Sequence, residues 1–256
     1  MFIQSPGEIA FYLLGLPIYW YGILLSFAVL AGVICADKIS KDLPKGFFIE
    51  VAPLLIFIGI LGARLYYCAL NYDYYLNHPL EIFDIRQGGL SVHGMILAGG
   101  VALFCIAKHY KIKFLKLADI LACSLPLAQS VGRWGNFFNS EAFGIPTNGN
   151  WGLFIPLNHR PVEFIHNSYF HPAFLYEAIL DIVIFFILFQ LLKRTDKTGL
   201  VFFSYLSLYS IVRFFIEAIR IDSALNISNI PIAQIISVIF FTIGLFGIFY
   251  VNKKTY

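Results

Sequence analysis

Seven long apolar runs limit what this chain can fold into: residues 13–34, 51–70, 89–107, 117–131, 172–192, 200–219 and 232–251. Each is near the roughly 20 residues with which a helix crosses a hydrocarbon core about 30 Å thick. In lipid a helix satisfies its own backbone polar groups, whereas a barrel would show alternating segments of about ten residues. The expected fold is therefore all-α: a polytopic membrane protein with about seven transmembrane helices, forming one membrane domain over residues 1–256. The fourth run is the shortest, and Pro126 is expected to interrupt it. Composition agrees, at 59% hydrophobic and 13% charged with a mean hydropathy of +0.77, against roughly 25% charged in soluble domains.

No Lys or Arg precedes the first run and no small-residue cleavage site follows it, so it reads as a retained anchor rather than a signal peptide. The four cysteines (Cys35, Cys68, Cys105, Cys123) lie in or beside apolar runs without metal or redox spacing, and read as small buried hydrophobes. His78, His109, His159 and His166 also lack ligand spacing, so no metal is expected.

Lys38, Lys41 and Lys45 follow the first run, Lys108, Lys111, Lys113 and Lys116 the third, Lys193, Arg194 and Lys197 the fifth, and Lys253 and Lys254 the seventh. Short Lys/Arg-rich loops stay in the cytoplasm, which predicts an outside amino terminus and a cytoplasmic carboxyl terminus. The other cations are all arginines: Arg64, Arg86, Arg133, Arg160, Arg213 and Arg220, each placed by that topology on the outer side. A guanidinium binds phosphate or carboxylate as a rigid fork and stays charged in a partly dry site. The set points to an anionic ligand at the outer leaflet; for any single arginine, snorkelling to the interface is the alternative.

Polar residues gather in four places. "YSIVRFFIEAIR" puts Arg213, Glu217 and Arg220 on one helical face, with Arg213 roughly 20 Å along its span and still within the hydrocarbon depth. There Glu217 is the obvious partner of Arg213, and a simple ion pair is the competing reading. "VGRWGNFFNSEAFG" combines Arg133, Asn136, Asn139 and Glu141 with Gly132 and Gly135, which leave room for a helix or a ligand and are expected to weaken the helix. "RQGGLSVHGMILAGG" sets His93 among glycines near a helix start, where it serves structure or moves a proton. "HPAFLYEAILD" opens the fifth span with His171, Tyr176, Glu177 and Asp181, the last two being partners for the arginines or polar contacts between helices. The aromatic cluster "IYWYG" and the tyrosines between residues 67 and 75 read as interface belts.

"GGLSVHG", "VGRWGNFFNSEAFG", "HPAFLYE" and "YSIVRFFIEAIR", in this order on seven spans and joined by "YWYG" and "GARLYY", closely resemble the bacterial prolipoprotein diacylglyceryl transferase family over essentially the whole chain. Arg133, Gly135, Asn136, Asn139, Glu141 and Gly144 match its central motif position by position, while Met95 replaces a glycine that usually follows. The resemblance implies transfer of diacylglyceryl from phosphatidylglycerol to the lipobox cysteine of a preprolipoprotein signal peptide. A thioether forms and glycerol 1-phosphate leaves, in the first step of lipoprotein maturation at the bacterial inner membrane, with the site toward the outer leaflet.

On this reading His93, Arg133, Arg213 and Tyr21 carry the chemistry, with His93 as the thiol's base and Arg133 and Arg213 stabilising the departing phosphate. Arg133, Asn136, Asn139, Glu141, Gly144, Arg213, Glu217 and Arg220 bind phosphatidylglycerol, and His171, Tyr176, Glu177 and Arg64 stand in a second rank. No cofactor, metal or nucleic acid is expected; the partners are the lipid, the signal peptide and the bilayer. The alternatives are an organic-anion secondary transporter, which would need a site open to both sides, and another phospholipid-dependent transferase.

Overall fold

The structure, a computed structural model, describes residues 2–85, 88–149, 151–221, 226–227 and 230–253; Arg86 and Lys254 of the charge pattern lie outside these. In chain order the helices are α1 (Trp20–Ile39), α2 (Phe47–Leu70), the short α3 (Tyr72–Asn77), α4 (Val92–His109), α5 (Phe114–Phe138), α6 (Ala173–Arg194), α7 (Leu200–Ile219) and α8 (Ile232–Lys253). Among the described residues seven of them, all but α3, are long and apolar enough to cross a membrane, as the apolar runs predict. The chain packs as two compact units, Met1–Ala36 with Asp119–Tyr256, and Asp37–Ala118.

Two spans differ from expectation. The first helix begins at Trp20, because β2 (Ile9–Leu13) and β3 (Leu16–Tyr19) form an antiparallel hairpin ahead of it. Its turn, Leu14–Gly15, has φ of +50° and +82°, the doubly positive geometry that matches the twist of a two-residue hairpin. Hydrophobicity alone merges such a strand with the helix it leads into. In turn α5 runs unbroken for 25 residues through Pro126 and on through Gly132 and Gly135, where interruption was expected. Without water to compete for freed backbone groups, a membrane helix tolerates Pro and Gly that would end a soluble one.

In the first unit, β1 (Phe2–Gln4) pairs in parallel with β4 (Gly152–Phe154), which pairs antiparallel with β5 (Tyr169–Phe170). Ala142, Phe143, Leu153, Ile155, Phe170 and Phe174 bury themselves together here, tying the loop after α5 to the start of α6. A second small pair joins β6 (Asn226–Ile227) to β7 (Ile230–Pro231). Helices α7 and α8 pack through Gly244 and Gly247: a Cβ at either would collide with Ser207 or with the Phe203 ring. Asp119, buried on α5, accepts from Gly199 N at 2.5 Å and Phe202 N at 2.8 Å, capping α7.

The second unit repeats both devices. A Cβ on Gly62 of α2 would meet Ala98 and the Gly94 carbonyl of α4, so Gly94 is the surface on which the two helices touch. Asp37 accepts from Gly46 N at 3.0 Å and Phe48 N at 3.2 Å at the start of α2. Of the cysteines, Cys68 and Cys123 are buried and Cys35 is half-buried, whereas Cys105 is exposed, contrary to the reading of all four as interior. The outer face of a membrane helix is itself apolar, so a small hydrophobe there is not driven inward.

Candidate functional site

The polar residues of the first unit converge where α5, α6 and α7 meet. Glu177 of α6, wholly buried, is their hub. Arg133 of α5 donates from Nη2 to Glu177 Oε1 and to the Tyr209 hydroxyl at 3.2 Å; that hydroxyl lies 3.4 Å from the same carboxylate oxygen. Arg213 of α7 reaches the other oxygen of Glu177 at 3.5 Å and pairs with Glu217, one turn along its own helix, at 2.6 Å. A buried carboxylate in lipid surroundings must be compensated, and here two guanidinium groups from two helices do it. Each arginine side chain is only 20% exposed.

These contacts leave capacity unused. The Nε and Nη1 hydrogens of Arg133 and the Nε hydrogen of Arg213 meet no acceptor among the described residues. A tetrahedral oxyanion in front of them would find fixed, partly desolvated donors.

Arg64, in the second unit, is the opposite case. Its five N–H groups go to five backbone carbonyls: Nε to Ile82 at 2.9 Å, Nη1 to Gly88 and Gly89, and Nη2 to Glu81 and Asp84. The guanidinium also lies 5.3 Å from the Tyr75 ring centre. This arginine organises the loop that follows α3 and has no donor left for an anion. A polar pocket of about 360 Å³ opens beside it, bordered by Tyr67, Asn71, Tyr74 and Glu81. Within it the Tyr74 phenol donates to Glu81 at 2.7 Å, a bond that holds the phenol above its usual pKa, with burial adding to the effect. His93, the second residue of α4, also belongs to this unit; it is exposed, with its ring 6.2 Å from that of Tyr66. The glycine crowding around it has a packing cause, the Gly62–Gly94 approach.

The end of the central motif is a strained turn. The asparagines face Glu141: Asn139 Nδ2 donates to one of its oxygens at 3.2 Å and Asn136 Nδ2 to the other at 3.4 Å. On either side Ser140 and Ala142 both sit at φ +54°, a region costly for residues with a Cβ. Gly144 is then required by its neighbours, since a Cβ there would lie 3.0 Å from the Ile219 carbonyl and 3.1 Å from His171 Cβ. Its amide donates to the His171 carbonyl at 2.8 Å, and it forms a bridge with Arg220. This seats the turn between the start of α6 and the end of α7. His171 Nδ1 lies 3.0 Å from the Tyr176 hydroxyl, and Trp151 packs against that tyrosine. Gly135 has a comparable cause: a Cβ would come within 2.7 Å of the Tyr21 ring at the start of α1.

The first unit thus brings together Arg133, Glu177, Arg213 and Glu217, and separately Asn136, Asn139 and Glu141, Tyr21 with Gly135, and Gly144 with His171 and Arg220. Sequence reasoning missed Tyr209, although it is four residues before Arg213 and so on the same face. A second polar tier lies one turn away on each helix, and of its members sequence reasoning named Asp181 but missed Gln129 and Tyr205. Gln129 lies four residues from Arg133, Asp181 four from Glu177 and Tyr205 four from Tyr209, with the Tyr205 hydroxyl donating to Gln129 at 3.1 Å.

Comparison with known proteins bears on the whole chain. A family model described as prolipoprotein diacylglyceryl transferase matches residues 8–250. A phosphatidylglycerol–prolipoprotein diacylglyceryl transferase of Prochlorococcus marinus (strain MIT 9301) is 39% identical over 284 residues, covering 100% of this chain and 95% of that protein. Those of Trichormus variabilis and Synechococcus elongatus are 40% and 38% identical, covering 98% and 96% of this chain and 92% and 88% of their own lengths. None of these names supports an organic-anion transporter. By family match and by full-length identity to these relatives, this chain belongs to the prolipoprotein diacylglyceryl transferase family.

Proposed function

We propose that this protein transfers the diacylglyceryl group of phosphatidylglycerol to the lipobox cysteine of a preprolipoprotein signal peptide. One observation carries the assignment of its site: Arg133 and Arg213, from different helices, share buried Glu177 while keeping guanidinium hydrogens that meet no acceptor among the described residues. In the reaction the cysteine S–H bond breaks, sulfur bonds to the glycerol carbon, and the carbon–oxygen bond to phosphate breaks with its electron pair on the departing phosphate oxygen. The electrophile is a saturated carbon, so the charge that needs stabilising develops on phosphate, where fixed guanidinium groups act best. Glu177 and Glu217 hold the two forks in place, and Tyr209 braces Arg133.

His93 is assigned as the base that takes the thiol proton, because an imidazole nitrogen can accept it and a thiolate is the competent nucleophile. Asn136, Asn139, Glu141 and Gly144 bind phosphatidylglycerol with Arg220, while Tyr21, His171 and Tyr176 handle protons or orient substrate. The lysine distribution supports an outside amino terminus and a site toward the outer leaflet of a bacterial inner membrane.

The direct test is reconstitution of purified protein with phosphatidylglycerol and a lipobox peptide, read by mass spectrometry. A diacylglyceryl adduct on cysteine is the expected product. Its absence where one of the curated relatives forms it overturns the proposal.

A further inference from the structure

Asp181 stands out within the second polar tier. It is 0% exposed, and neither carboxylate oxygen has a hydrogen-bond donor among the described residues. The neighbouring carboxylates are served: Glu177 by Arg133, Arg213 and Tyr209, and Glu217 by Arg213. Two unmatched acceptors on one buried side chain are costly, and they call for donors that the described residues do not supply.

We propose that Asp181 receives the two hydroxyl groups of the phosphatidylglycerol head, and is thereby a headgroup-specificity residue of the arginine site. The inference rests on the phosphatidylglycerol reading above. A carboxylate is acceptor-only with two oxygens, and the free end of the head glycerol is a vicinal diol with two O–H donors, so the groups match one to one. Register fits as well. Asp181 follows Glu177 by four residues, one helical turn of about 5.4 Å. A phosphate held at the level of Glu177 carries its hydroxyl oxygens three and four atoms beyond its ester oxygen, a reach of about one turn. Arg133 and Arg213 lie within electrostatic reach of Asp181. Their charges attract the phosphate, which brings the attached diol toward Asp181. The phosphate competes with Glu177 for the forks, and the diol follows it into the tier behind.

The test compares phosphatidylglycerol with phosphatidylpropanol, which keeps the phosphodiester and lacks both hydroxyls, using the lipobox peptide and the full chain in nanodiscs. Wild type is expected to favour phosphatidylglycerol by roughly ten- to hundredfold in kcat/KM, mostly through KM, because Asp181 touches no bond that forms or breaks. Asp181→Asn and Asp181→Leu are expected to shrink that preference by at least tenfold. The preference is a ratio within one preparation, so loss of folded protein does not move it, and a merely structural role would slow both lipids equally. Equal use of the two lipids by wild type overturns the inference without any variant. A preference that survives both substitutions also overturns it. If wild type forms no adduct with either lipid, the transferase reading itself fails and takes this inference with it.

Discussion

Arg133 on α5 is ion-paired with Glu177 on α6, 44 residues away, and the Glu177 side chain is completely buried. That one relationship turns two apolar helices into the wall of a charged site. It also makes each residue's substitution readable, because removing either partner leaves the other charge in a poor solvent.

Glu177→Ala is expected to lower stability by about 3 kcal/mol, the low end for a broken buried pair since Arg133 stays partly exposed, and to abolish transfer. Thermal unfolding in detergent measures the first effect and the peptide assay the second. A variant with unchanged Tm would show that the arginines are neutralised elsewhere.

Arg133→Lys and Arg213→Lys keep the charge and lose the fork. Each is expected to reduce kcat/KM by about 100-fold, the order found when one fixed donor to a developing oxyanion is removed. Steady-state kinetics with phosphatidylglycerol vesicles decide it, and activity within a few fold of wild type removes that arginine from phosphate binding.

Arg64→Lys has a different expected signature. Lysine's three donors cannot reproduce five carbonyl contacts. Residues 81–85 are expected to lose amide protection, which hydrogen exchange followed by mass spectrometry reads directly. Unchanged protection would mean that this loop holds without the guanidinium.

Gly135→Ala drives a methyl group into the Tyr21 ring, at a cost of about 1–3 kcal/mol. Adding Tyr21→Ala is expected to restore the Tm without restoring activity. Additive losses in the double variant would mean that the two residues do not meet.

The turn around Glu141 stores backbone strain. Ser140→Gly and Ala142→Gly are each expected to raise stability by about 0.5–1 kcal/mol, the left-handed penalty less the entropy that glycine adds to the unfolded chain. A fall in Tm at both positions would contradict the strain.

His93→Gln is expected to slow transfer by about 100-fold, because the thiol proton loses its acceptor. A wild-type rate in the peptide assay would rule out an essential imidazole.

The apolar runs by themselves determined seven membrane helices, since length and hydrophobicity suffice to predict a helix wherever the backbone has no water to bond to. They also marked Arg133 and Arg213 as exceptional, because a guanidinium within an apolar span needs a cause wherever it sits. The Arg213–Glu217 pair was legible as well, one turn apart on a single helix, and Glu177 was a candidate partner, but that one carboxylate serves both arginines was not. The partners of Glu177 come from helices 44 and 36 residues away, and only packing brings them within reach. Packing likewise separated Arg64, saturated by carbonyls of its own loop, from Arg133, which a list of arginines could not tell apart. It showed that Gly135 makes room for Tyr21, where sequence allowed either a helix or a ligand, and that Gly94 makes room for Gly62. Hydrophobicity is a property of residues taken singly and survives in the sequence, whereas hydrogen-bond satisfaction belongs to groups brought together, and the tertiary structure alone decides it.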